Sequence, residues 1–129
     1  MFSHMTLGSN DLPRSRSFYD AALGALGIPK AVEDAKGRLI YAHAGALLIV
    51  TRPLDGEPAM GGNGTTVGFA AASPAEIDAW HAAGLAAGGR SIEDPPGVRE
   101  MPGRRLYLAY LRDPDGNKLC AMHRMAAEG

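Results

Sequence analysis

The chain repeats itself at an offset of 62 residues, and this limits its folds more than any other feature. The segment from Gly8-Ser9-Asn10-Asp11-Leu12 to Gly27 is matched by Ala70-Ala71-Ala72-Ser73-Pro74 to Gly89. In each copy a short apolar strand runs into a helix cap. The helix then carries an aromatic residue (Phe18, Trp80), a leucine five positions on (Leu23, Leu85) and a closing glycine (Gly27, Gly89). Two equivalent half-modules, about 1–60 and 61–129, within one domain are therefore expected, with a cavity between them whose facing residues decide function.

Composition narrows the class. A chain of 129 residues with 46% hydrophobic content has enough apolar material for one core and too little for two independent ones. With 13 basic and 14 acidic residues, a net charge of −1 and no basic run, it offers no footprint for nucleic acid or an anionic membrane surface. A single cysteine makes no internal disulfide, and the first residues lack the charged start and apolar block of a signal peptide, so a cytoplasmic location is expected. No apolar run approaches the ~20 residues of a membrane span.

Local patterns place the elements. Phe2 to Gly8 alternates as a strand, with Met5 and Leu7 on one side and Phe2, His4 and Thr6 on the other. A helix begins near Pro13, capped by Asn10 or Asp11, and Leu12, Tyr19, Ala22, Leu23 and Leu26 form its apolar stripe before Gly24 and Gly27 end it. Strands are expected at Ala31 to Asp34, Arg38 to His43 and Ala46 to Thr51. Arg52 to Gly64, rich in proline and glycine, reads as the loop joining the halves and as a flap over a site. The second unit opens with Thr65 to Ala71. Its helix has a Ser73 cap, Pro74 at the first position and Glu76 three after the serine, a capping box, with Ile77, Trp80 and Gly84 or Leu85 as the buried stripe. Strands near Ser91 to Val98, Arg105 to Arg112 and Lys118 to His123 follow, the last two joined by Asp113-Pro114-Asp115-Gly116-Asn117. Both halves thus read β-α-β-β-β.

Three motifs in this order, Phe18-Tyr19 with Leu23-Gly24, Gly64-Thr65-Thr66-Val67-Gly68-Phe69, and Tyr110-Leu111-Arg112-Asp113-Pro114-Asp115-Gly116-Asn117-Lys118, resemble the vicinal oxygen chelate superfamily of glyoxalases, bleomycin-resistance proteins, fosfomycin-resistance enzymes and extradiol dioxygenases. The similarity covers nearly the whole chain. It implies an α+β fold of two βαβββ modules, a cup-shaped curved mixed sheet with helices on its outer face, and a homodimer. It also implies a divalent metal held by a histidine or glutamine in a module's first strand and a glutamate in its last.

Carried over position by position, the metal pattern is mostly lost. His4 stands at the first-strand ligand position, Thr66 where a second histidine would be, Cys120 at the last-strand glutamate, and Leu48 or Ile49 at the equivalent place in the first half. An ordinary two-histidine, two-glutamate centre is excluded by residue type. His4 and Cys120, helped by acids of the Asp55 to Glu57 loop, are the candidate ligands for zinc, nickel or iron; no cofactor at all is the other expectation. His4 is also the candidate catalytic base.

Each residue has a plainer reading: His4 as a hydrogen-bonded pocket histidine, Cys120 as a small buried apolar group, Trp80 as core. His43, His81 and His123 read as structural or solvent-facing, and Arg104-Arg105 as a solvated strand end that would also suit an anion. Without metal the cup remains. Small residues (Gly64, Thr66, Gly68, Ala70) leave room, and Phe2, Tyr41, Tyr107, Cys120 and Met122 are expected to wall it. The resemblance then implies a small-molecule binder of the bleomycin-resistance kind with a degenerate metal site; a glyoxalase-like metal-dependent lyase or isomerase is the alternative, and a purely structural domain the third.

Overall fold

The computed structural model describes residues 1–126; positions 127–129, the last of the second module, lie outside the described residues. The elements run β1 (His4–Gly8), α1 (Leu12–Gly24), β2 (Val32–Glu33), β3 (Leu39–His43), β4 (Ala46–Thr51), then β5 (Val67–Ala70), α2 (Pro74–Ala86), β6 (Arg90–Ser91), β7 (Gly97–Met101), β8 (Arg104–Arg112) and β9 (Lys118–Met125). The duplication is visible in the topology. The first sheet has order β1-β4-β3-β2 and the second β5-β9-β8-β6, with β1–β4 and β5–β9 the parallel pairs and the other pairings antiparallel.

The α+β fold of two βαβββ-type modules is as expected, with one addition. The strand expected near Ser91 to Val98 is split into β6 and β7, and β7 pairs along β8 to give a sheet of five strands. Pro95 and Pro96 lack the N–H groups a continuous strand would donate, so the ladder breaks between the two pieces.

Both helix starts follow from their caps. The Asp11 carboxylate accepts from the Arg14 amide at 3.0 Å, and the Ser73 hydroxyl from the Glu76 amide at 3.2 Å, with Pro at the first turn of each helix. The Glu76 carboxylate reaches back to the Ala72 amide at 2.8 Å, completing the box. Met5 and Leu7 of β1 join a core with Phe18, Tyr19, Leu23, Val50, Ile77 and Trp80, so one face of each sheet is covered by its helix. Within that core the Trp80 ring is fully buried, as its repeat position beside Phe18 predicts. Gly84 rather than Leu85 belongs to the buried stripe; Leu85 is 41% exposed.

The modules join helix to helix. α1 packs on α2 across Gly84, where a Cβ would lie 2.4 Å from Leu111 Cδ1 and 3.3 Å from Phe18 Cε2. A buried polar knot sits beside this seam. The Asp113 carboxylate accepts from the Tyr19 phenol (2.6 Å), the Asn117 amide side chain (2.8 Å) and the backbone amides of Asp115 and Asn117 (2.9 Å each). Asp115 in turn receives the Asn10 amide, Arg14 and the Ser15 hydroxyl from the first module. The Asp-Pro-Asp-Gly-Asn turn is therefore the keystone between modules as well as a hairpin.

Candidate functional site

With one face of each sheet under a helix, the opposite faces are open. On the first sheet the register aligns His4 with Leu47 and Thr6 with Ile49, and Ile40 lies across from Ile49; these side chains alternate away from the buried Leu7, Leu48 and Val50. On the second sheet Leu108 lies opposite Met122 and Tyr110 opposite Cys120, while Gly68 and Ala70 of β5 flank Cys120 and Met122. Leu106, Leu108 and Cys120 form a small apolar cluster with Tyr110 on this face, separate from the main core.

The sequence-predicted residues divide on this geometry. His4, Cys120 and Met122 lie on the helix-free faces, His4 on the first sheet and Cys120 and Met122 on the second, and Met122 is 39% exposed. Thr66 immediately precedes β5 and is exposed, and Phe2 lies before β1 with its ring exposed. Two aromatic expectations are corrected. Tyr41 is buried in the main core with its hydroxyl donating to Asp20 of α1 at 2.8 Å, and Tyr107 donates to Asp78 of α2 at 2.7 Å. Strand parity sends both toward the helices, so they wall the core side. Tyr110, one strand position from the parity assumed for Tyr107, is the tyrosine on the open face.

His123 Nδ1 donates to the Ala71 carbonyl (3.0 Å), and His81 sits 3.0 Å from the Ser91 hydroxyl, where burial pushes its imidazole pKa down. His43 ends β3 at an exposed position.

Around Cys120 the second face gathers several functional groups. Lys118 Nζ lies 5.0 Å from the Tyr110 ring centroid and 2.5 Å from the Glu93 carboxylate, and Glu93 adopts φ +57, in the left-handed region that favours glycine. Burial pushes the Cys120 thiol up, and burial followed by the neighbouring Cys120 pushes the Tyr110 phenol up. The Cys120 thiol donates to the Ala121 carbonyl at 3.6 Å.

The divalent ion that the family resemblance implies does not fit this donor set. His4 is the sole nitrogen ligand among the four positions, exposed and hydrogen-bonded through Nδ1 to Ser3 Oγ at 2.8 Å. Ile49 has no donor atom, Thr66 offers a neutral hydroxyl, and Cys120 is on the other sheet with its thiol disfavoured as thiolate. Among the described residues no three His, Cys, Asp or Glu side chains converge as a metal site.

The joining loop roofs one end of the first open face. Residues 52–60 fold over Thr6, Gly8 and Thr51 and enclose an open groove of about 790 Å³. Its anchorage is specific: the Asn10 side chain donates to the Ala59 carbonyl (3.1 Å) and accepts from the Ala59 amide (2.7 Å), and Gly61 lies so close to the Gly116 carbonyl that a Cβ would sit 2.1 Å from it. Asn10, read as a possible helix cap, is this clamp instead. Among the described residues no helix is long and apolar enough to cross a membrane.

The sequence profile described as Glyoxalase/Bleomycin resistance protein/Dioxygenase superfamily matches residues 1–121. Among solved structures, a glyoxalase/bleomycin resistance protein from Albidiferax ferrireducens T118 is 54% identical, with 96% of this chain and 99% of that one covered and a TM-score of 0.92. A glyoxalase/bleomycin resistance protein/dioxygenase family enzyme from Burkholderia phytofirmans PsJN (16% identity, 95% and 98% covered, TM-score 0.74) and a glyoxalase-related enzyme from Fulvimarina pelagi (18%, 99% and 99%, 0.71) share the fold. No curated protein matches the chain.

Proposed function

Because this chain belongs to the glyoxalase/bleomycin resistance protein/dioxygenase superfamily, we propose that it is a small-molecule binding protein, working as a homodimer, whose ligand lies against the helix-free faces of its sheets. The observation that carries this reading is the donor set: one imidazole, one hydroxyl, one aliphatic chain and one thiol on the other sheet stand where a metal enzyme of this kind needs four ligands. What remains is an open apolar surface with a few polar groups, the surface a small-molecule site uses.

The way the modules meet supports the homodimer. Because they join through α1 and α2, β1 and β5 stay as outer strands of separate sheets, each with one edge unpaired. Unpaired edges beside unpartnered apolar faces are a surface that a second chain can complete. In this assembly His4 of one copy and Cys120 of the other would face the same hollow. The buried free thiol of Cys120 suits a reducing compartment, the cytoplasm.

The test is metal content and mass together. Purified protein should run at twice 13.5 kDa in light scattering, carry well under one zinc, nickel or iron per chain, and gain thermal stability from small apolar ligands. One tightly held metal ion per chain, lost together with lyase or isomerase turnover in His4→Ala and Cys120→Ser, would replace this reading with the metal-dependent enzyme.

A further inference from the structure

The groove under the 52–60 loop carries more basic than acidic side chains. Its lining includes Lys36, Arg38 and Arg52 against one carboxylate, Asp55, although the chain as a whole carries a net charge of −1. Arg38 is already committed: its Nε donates to the Asp34 carboxylate at 2.6 Å. Lys36 and Arg52 are different, for neither side chain has a hydrogen-bond or ion-pair partner among the described residues.

Both of these free cations also border the adjoining groove of about 500 Å³ beside Leu12 and Pro13, so they stand on the ridge between the two hollows. Glu33, the acid in that second groove, is 3.7 Å from Arg16 and so is matched by its own cation. Beneath the ridge, Thr6 brings a hydroxyl group from β1 to the groove floor, the Thr51 hydroxyl of β4 being donated to the Arg52 carbonyl, and Pro53, Pro58 and Met60 of the loop add apolar surface.

We infer that this groove binds the oxyanion of a small organic acid, a phosphate or carboxylate on an apolar body, with Lys36 and Arg52 as its cationic contacts and the Thr6 hydroxyl as a further donor. The inference rests on the small-molecule reading above and adds the charge class and location of the ligand. Arginine and lysine hold such groups by charge-assisted hydrogen bonds, and the loop leaves the anion beside apolar surface that can take the remainder of the molecule. Asp55 works against the anion and sets a limit on affinity.

The probes are phenyl phosphate and benzoate, with uncharged benzamide as control, followed by amide chemical shifts and calorimetry at low and high salt. Phenyl phosphate and benzoate should shift the amides of Thr6, Thr51 and Arg52 and bind more weakly as salt rises. Lys36→Ala and Arg52→Ala should each weaken phenyl phosphate about fivefold, as expected for exposed charged contacts, and Asp55→Asn should strengthen it. Both substituted side chains are on the surface, and unchanged melting temperatures would verify intact folding.

The inference is overturned if phenyl phosphate binds the double variant as tightly as the natural protein, or leaves those amides unmoved at about 10 mM, above the weakest affinity a specific site would show. Benzamide shifting the open faces while the anions do not would overturn the anion site and leave the small-molecule reading standing. Silence from all three probes on both faces would defeat both.

Discussion

Replacing Tyr19 by Phe isolates the bond that ties the first module to the keystone turn. The ring is fully buried and keeps its packing in the variant, edge-on to Phe18 at 4.9 Å and 6.0 Å from Tyr41. Only the hydroxyl is lost, and with it a 2.6 Å hydrogen bond to the buried Asp113 carboxylate. Hydrogen bonds to charged groups contribute about 1.5–3 kcal/mol, and the buried carboxylate loses one of four donors, so the cost should be about 2 kcal/mol. Over 129 residues an unfolding entropy of about 2.1 cal/mol/K per residue converts this to a fall of about 7 °C in melting temperature. Urea unfolding and calorimetry measure it, and a double-mutant cycle with Asp113→Ala isolates the pair. A Tyr19→Phe variant within about 0.5 kcal/mol of the parent, the range of a neutral surface change, would refute the keystone argument.

Other expectations follow from the same coordinates. Gly61→Ala should destabilise by about 1–3 kcal/mol because its Cβ meets the backbone carbonyl of Gly116, whereas Gly24→Ala, with nothing within 4 Å at the end of α1, should stabilise by up to about 1 kcal/mol in thermal melts. All four tyrosines have raised phenol pKa values, Tyr19 and Tyr41 first through burial, Tyr107 through its bond to Asp78 and Tyr110 through burial. The folded state therefore favours the neutral phenols; their contribution is complete below the ordinary value of about 10 and is lost as pH rises past it toward the folded values. An alkaline titration should show phenolate absorbance rising together with unfolding, and a phenolate signal near pH 10 from fully folded protein would count against it. Iodoacetamide should alkylate Cys120 at pH 8 at least about tenfold more slowly in folded than in urea-unfolded protein, since burial both covers the thiol and raises its pKa.

Much of the scaffold could be read from local chemistry. Ser73, Pro74 and Glu76 announce a helix start because cap and first-turn energetics depend on residues a few positions apart, and the alternation of Met5 and Leu7 fixes which face of β1 is buried. Long-range partners were not legible. Asp113 meets Tyr19 across 94 positions and Asn117 donates to the Gly8 carbonyl across 109, so a motif that looks like a turn gives no local sign of being a keystone. Ser9 and Ser15, fully buried and bonded to each other, carry no local sign of that pairing for the same reason. Site residues suffered from a related limit: Tyr41 and Tyr107 were given the wrong face because their strands' register against the helices depends on tertiary pairing, while His4 and Cys120 could be placed from parity within one strand. The free cations Lys36 and Arg52 carry no motif, and their convergence exists only once the loop folds over β1 and β4.

The joining loop is fastened at Ala59 and Gly61, while Leu54, at its crest, touches little and is fully exposed. The crest is a turn in its own right, with the Asp55 carboxylate accepting from the Glu57 amide at 2.9 Å and Gly56 at φ +75, so Leu54 and Glu57 are its replaceable positions while Asp55 and Gly56 hold its shape. If the groove binds as inferred, selection or a protein engineer could retune the compound it accepts by exchanging those exposed positions, leaving the duplicated framework to fold as before.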